Sequence, residues 1–171
     1  MQDEIERALA PLVGRTLRGA KRLMDVLLLR FRGVESNGDG DAADDVALHV
    51  ACPWRVTGGD RVLVGAGDLF TPADPDEEPA TFDWEPEGAS WLDVRLGELA
   101  EKRGGATATV TEVQADGLGG FRLALADGLL LELFPNSTPT GHVSTEFWRL
   151  TSPGADDFVV GTFGVEREAR G

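Results

Sequence analysis

Apolar and polar residues alternate along much of the chain, and a period of two marks strands that bury one face. The clearest case runs from Val46 to Val56. Val46, Leu48, Val50, Cys52, Trp54 and Val56 share one face, and Ala47, His49, Ala51, Pro53 and Arg55 share the other. The spacing predicts a single strand here, with Pro53 at a sheet edge or a bulge because it has no N–H to give a ladder. Thr57-Gly58-Gly59-Asp60 then turns the chain into a partner strand over 61–66. In the second half a strand over 106–115 slips its alternation at Thr111-Glu112, as a bulge would cause. Phe121, Leu123 and Leu125 alternate again, and Asp127-Gly128 is a strong hairpin signal leading into residues 129–134. Short strands are predicted at 146–150 and 158–163, and residues 166–171 read as a frayed tail.

Helical spacing appears twice. Ile5, Ala8, Leu9 and Leu12 recur at i, i+3, i+4 and i+7, with Pro11 and Gly14 closing the segment. Leu92, Leu96 and Leu99 mark one face of a second helix, with Ser90 as N-cap, Asp93 completing an imperfect capping box and Gly104-Gly105 as the stop. Residues 15–32 fit either a helix or strands. An internal echo favours two strands, near 15–22 and 25–32. Asp25-Val26-Leu27-Leu28-Leu29-Arg30-Phe31 is similar to the segment from Asp127 to Phe134, and each is followed by a Trp-Arg pair, Trp54-Arg55 and Trp148-Arg149. The sum is one α+β domain over 1–165, with about eight mostly antiparallel strands and two helices packed on them.

Composition narrows the function classes. The chain has 171 residues and a net charge of −14. Five acids in 34–45 and seven in 71–87 stand without a base among them, so the rest is nearly neutral. Such loops argue against nucleic acid and anionic membrane as partners; they solubilise the chain or steer it toward a basic protein partner. Opposite charge collects at Arg15, Arg18, Lys21, Arg22, Arg30 and Arg32. With no aromatic interleaved for base stacking, this patch is expected to face the chain's own acidic loops. A single cysteine, an acidic N-terminus unlike a signal peptide and no long apolar run predict a cytoplasmic protein.

Templates for chemistry fail. Asn37-Gly38-Asp39-Gly40-Asp41-Ala42 resembles a calcium loop but has Ala42 where the turn needs glycine and Leu48 at the twelfth position. His49 and Cys52 point to opposite faces of their strand and cannot easily share a zinc ion, and no metal or cofactor is expected. Hydrolase and nucleotide motifs are missing. The candidate binding residues are polar groups beside aromatics: Trp54, Arg55, Asp68, Trp84, Glu146, Trp148 and Arg149, suited to cation–π contacts and Arg–carboxylate pairing. Three function classes follow. The leading one is a non-enzymatic binding protein, an acidic inhibitor of a basic partner. The alternatives are a hydrolase working through the Asp68 and Glu146 carboxylates, or a small-ligand carrier with an apolar cavity between sheet and helices.

The segments Leu48–Val56, Gly65–Phe70, Leu133–Ser137 and Glu146–Arg149 together resemble a family of uncharacterised bacterial proteins. Some members of that family look like the immunity proteins that accompany bacterial toxins. The resemblance implies a binding role and strands at 15–32, and it assigns no catalytic residue.

Overall fold

A computed structural model describes residues 1–32, 45–102 and 108–169. Helix α1 (Gln2–Leu9) and a 3-10 turn (Ala10–Leu12) bury Ile5, Leu9 and Leu12, the positions its spacing marks. The chain then enters β1 (Thr16–Leu23) and β2 (Val26–Arg32), so 15–32 is a hairpin of strands. After β3 (Val46–Val50), β4 (Trp54–Gly58) and β5 (Arg61–Gly65), a short 3-10 turn spans Ala66–Phe70 and the acidic loop leads to α2 (Trp91–Lys102). The second half contributes β6 (Ala108–Ala115), β7 (Phe121–Leu125), β8 (Leu129–Leu133), β9 (Glu146–Thr151), β10 (Asp157–Gly161) and β11 (Gly164–Glu168).

All eleven strands join one sheet, in the order β11-β10-β9-β3-β2-β1-β6-β7-β8-β4-β5, and its ladders are antiparallel. The α+β class with antiparallel sheet therefore stands, but the described residues form eleven strands rather than about eight. Nine strands are marked individually in the sequence, and two differences bring them to eleven. The strand expected over 46–56 is broken at Ala51-Cys52-Pro53 into β3 and β4. At the C-terminus the expected tail from 166 is instead β11, which pairs Glu166, Arg167 and Glu168 with Val159, Phe158 and Asp157.

The break at 51–53 shapes the molecule. Five strands lie between β3 and β4 in the sheet, a separation of about 29 Å if the sheet were flat. Four Cα–Cα steps join Val50 to Trp54, reaching about 15 Å at most. The sheet must therefore roll up until β3 and β4 nearly meet. Register shifts at Leu17/Gly19 in β1 and Val110/Glu112 in β6 supply local bends; the second is the slip expected at Thr111-Glu112. Hydrogen bonds close the seam. Ala51 and Cys52 N–H donate to the Phe147 carbonyl (2.8 and 3.0 Å), and Phe134 N–H donates to the Pro53 carbonyl (2.8 Å).

Helix α1 packs on β6, while α2 packs against β1, β5 and the Ala66–Phe70 turn. The N-terminus of α2 is fixed by a reciprocal cap: Asp93 N–H donates to Ser90 Oγ (3.3 Å), and Ser90 N–H and Oγ–H donate to Asp93 Oδ2 (3.3 and 3.0 Å). Leu27, Leu29 and Phe31 from β2 and Trp54 with Leu131 and Leu133 from β4 and β8 belong to the same apolar core.

Candidate functional site

The inner faces of β1, β2, β4, β7 and β8 and the apolar side of α2 do not meet completely. Between them lies a cavity of about 370 Å³, within the range of small-molecule sites. Its apolar walls are Leu27, Leu29 and Phe31 of β2, Trp54 and Val56 of β4, Leu123 and Leu125 of β7, Leu129 and Leu131 of β8, and Leu96 and Leu99 of α2, and Thr16, Arg18 and Arg32 line it as well. Strand alternation explains the chemistry of this lining. Val56 pairs with Leu131 and Trp54 with Leu133 on the inner face, while Arg55 and Glu132 pair on the outer one. Small residues frame the cavity on the β1 and α2 sides: Gly19, Ala20 and Ala100 all line it and are solvent-exposed. Leu17, Leu96, Leu99 and Leu129 remain only half-buried around it.

Arg22 holds α2 over this space. It lies on the inner face of β1, opposite Leu27, with its side chain 6% exposed. Its Nε and Nη2 donate to both Asp93 oxygens (2.7 and 3.0 Å), Nη2 also donates to the carbonyls of Trp84, Glu85 and Pro86, and Nη1 donates to that of Met24. The carboxylate raises the Arg22 pKa above its ordinary value. Burial alone would raise the Asp93 carboxyl, but Arg22 and the Ser90 hydroxyl and amide hold it below the usual aspartate value. The basic hairpin thus does face an acidic loop, through backbone carbonyls more than through its carboxylates. Arg18 pairs with Asp45 at 3.5 Å.

The sequence candidates occupy several places. Trp54 lines the cavity. Arg55 leaves the opposite face of β4 and meets Glu132 (Nε–Oε2 2.7 Å), which also faces Arg122 (3.3 Å), with Arg55 lying over the Phe134 ring. Asp68 accepts a bond from Gly65 N–H (2.9 Å) and so caps its own turn. Trp84 packs edge-on against Phe70 (centroids 5.8 Å apart) and is half-buried beside the core. Trp148 is fully buried between Phe121 and Phe158, its Nε1–H donating to Gly119 O at 2.7 Å. Gly119 has φ +94°, and a Cβ there would stand 3.2 Å from Val160 Cγ1, so glycine suits that acceptor position.

Arg149 forms a bidentate pair with Glu146 (2.8 and 2.5 Å) and reaches Asp157 and Glu168 as well. These carboxylates raise the Arg149 pKa further. Among the described residues Asp68 and Glu146 share no partner, and the Trp-Arg pairs form two separate arrangements, each with tryptophan inward and arginine outward. Sequence reasoning did not single out the leucines of the cavity or Arg22 as site residues. The leucines look like ordinary core until strand order is known.

Burial pushes the Cys52 thiol up to about 12, leaving it an inert core group at neutral pH. Among the described residues no cluster of three His, Cys, Asp or Glu side chains is placed to hold a metal ion. The Asn37–Ala42 segment and four of the five acids of 34–45 lie outside the described residues. No described helix is long and apolar enough to cross a membrane. No protein-family model matches the chain, and neither a curated protein nor a solved structure matches it.

Proposed function

We propose that the protein binds a small apolar molecule in the cavity between the rolled sheet and α2. The observation that carries this reading is the lining: apart from Thr16, Arg18 and Arg32, leucine, valine, phenylalanine, tryptophan, alanine and glycine from five strands and a helix surround about 370 Å³ without filling it. A core meant only for stability packs to crystal-like density, because unfilled apolar space forfeits contacts and destabilises the fold. A ligand of about a dozen non-hydrogen atoms restores those contacts, taking each as roughly 30 Å³. Calorimetric titration with butylbenzene tests the reading. Saturable one-to-one binding is expected, and the double variant Ala20→Leu, Ala100→Leu, which narrows the space between β1 and α2, should abolish it while leaving the thermal midpoint unchanged or raised. Equal binding by the double variant would refute the site.

A second reading, association with a basic protein, is favoured by the 71–87 loop. Its seven carboxylates are all exposed, and none forms an ion pair among the described residues. Such a surface speeds encounter with a cationic partner, and the effect fades as salt screens charges beyond about 8 Å. Replacing Asp74, Asp76, Glu77 and Glu78 with Asn and Gln should slow association with a co-purifying partner without moving the folding midpoint. An unchanged on-rate would leave these charges a solubilising role alone.

A further inference from the structure

The polar residues of the cavity lining gather in one place. Thr16 and Arg32 are register partners across β1 and β2, and Arg18 is the extra residue where the register shifts between Leu17 and Gly19. At this same point β1 leaves its other neighbour. It pairs with β6 only through Thr16 and Leu17, so from Arg18 onward no described strand covers that edge. Gly19 and Ala20 come next, and both line the cavity and are exposed. The cavity thus opens to solvent where β1 parts from β6, and its polar residues stand at that mouth.

The charge there is positive. Arg18 pairs with Asp45 at 3.5 Å. Arg32 accepts a bond from Arg15 at its carbonyl, but its guanidinium has no hydrogen bond or ion pair among the described residues. Lys21 and Arg30 of the same hairpin are exposed, with Asp25 at its tip opposing them, so the surrounding field has the same sign. Arg22 adds nothing to it, since Asp93 and four carbonyls engage that guanidinium.

Resting on the apolar-ligand reading, we propose that the ligand is an amphipathic monocarboxylate, with its apolar body in the cavity and its carboxylate at the mouth beside Arg32 and Thr16. The volume of about 370 Å³ suits a body of about ten carbons with its head group, at roughly 30 Å³ for each non-hydrogen atom. Guanidinium and carboxylate match as planar, charge-assisted partners. A carboxylate drawn deeper among the leucines would lose water and gain no counter-charge, so the head stays at the opening. A hydrocarbon fills the walls and leaves Arg32 unused, and a cation meets the wrong sign.

Three probes with a phenylalkyl body differ only in the head: 4-phenylbutanoate, butylbenzene and 4-phenylbutylammonium. Each is titrated at neutral pH into the full chain, into Arg32→Gln and into Arg30→Gln. The anion should bind the natural protein about tenfold more tightly than butylbenzene, the low end for hydrogen bonds to a charged group, and the ammonium more weakly than either. In Arg32→Gln the anion's advantage should fall to about twofold with butylbenzene affinity unchanged. Arg30→Gln removes the same charge from an exposed residue outside the lining and should keep most of the advantage. Equal losses in the two variants would overturn the assignment, because net charge and not the mouth would then select the anion. Equal affinity of anion and hydrocarbon for the natural protein also overturns it and leaves the cavity reading standing. If none of the three binds, the cavity reading fails with it. Tighter binding of the ammonium than of the anion refutes the monocarboxylate class. A readout that needs no variant is salt: the ratio of anion to hydrocarbon affinity should shrink as ionic strength rises, and a constant ratio would contradict a head group at a solvent-open mouth.

Discussion

Arg22→Met removes the clamp that seats α2 on the sheet. Methionine keeps most of the aliphatic stem and its packing, so the lost terms are electrostatic and hydrogen-bonding. Both partners of the ion pair are largely withdrawn from water, with side chains 6% and 12% exposed. Breaking a buried pair from one side costs about 3–5 kcal/mol, chiefly because the other charge is left uncompensated. Here the low end applies. Asp93 keeps the Ser90 hydroxyl and the Gly88 and Ser90 amides, and the freed carbonyls of Glu85 and Pro86 belong to exposed residues. The expected loss is about 3 kcal/mol, or a fall of about 6–12 °C in melting temperature for a chain of this length. Urea unfolding followed by far-UV circular dichroism reads it as a lower midpoint at constant slope. A cycle with Asp93→Asn should show strong coupling between the two sites. Since Leu96 and Leu99 of α2 line the cavity, the variant should also weaken butylbenzene binding. A stability loss under about 1 kcal/mol would refute the reasoning, for the pair would then be behaving as an exposed bridge.

Asp93 titrates lower in the folded chain than in the unfolded one, so its contribution is complete above the unfolded value of about 3.9 and is lost as pH falls through the lower folded value. Urea midpoints taken between pH 6 and pH 2.5 should therefore drop more steeply below about pH 4 in the natural protein than in Asp93→Asn; identical profiles would contradict the pairing. Trp84→Ala removes a half-buried ring and its contact with Phe70, and should cost about 2 kcal/mol in the same urea assay, roughly half the value for a fully buried aromatic. No loss would show that Trp84 does not hold the acidic loop to the core.

Local chemistry was readable in the sequence, and sheet closure was not. Asp127-Gly128 and the Thr57–Asp60 turn predict their hairpins because turn geometry depends on a few adjacent residues. The Ser90–Asp93 cap and the Thr111-Glu112 slip are likewise local. The period of two in 46–56 is real on both sides of Pro53, and it conceals the break, because alternation says which face is buried and nothing about which sheet neighbour covers it. Trp54 and Val50 share a face in the pattern, yet they belong to strands separated by five others in the sheet order. Only the antiparallel pairings of β2, β1 and β6 with their neighbours reveal that β3 and β4 close a roll. The cavity follows from that closure, so its leucines could not be told from filled core. Arg22 was hidden for a related reason. Apart from the Met24 carbonyl, its partners lie 62 to 71 residues away, and a basic residue in a basic patch carries no mark of the carbonyls it will meet.

The central claim is that an apolar molecule occupies the space between the rolled sheet and α2. Isotope-filtered nuclear Overhauser measurements on the labelled protein with bound butylbenzene test it most directly. Contacts are expected from the ligand to the methyl groups of Leu27, Leu29, Leu96, Leu99 and Leu131, which converge inside the cavity. Contacts confined instead to the exposed apolar side chains of Val62, Phe70 and Trp91, or no intermolecular contact at saturating ligand, would contradict it.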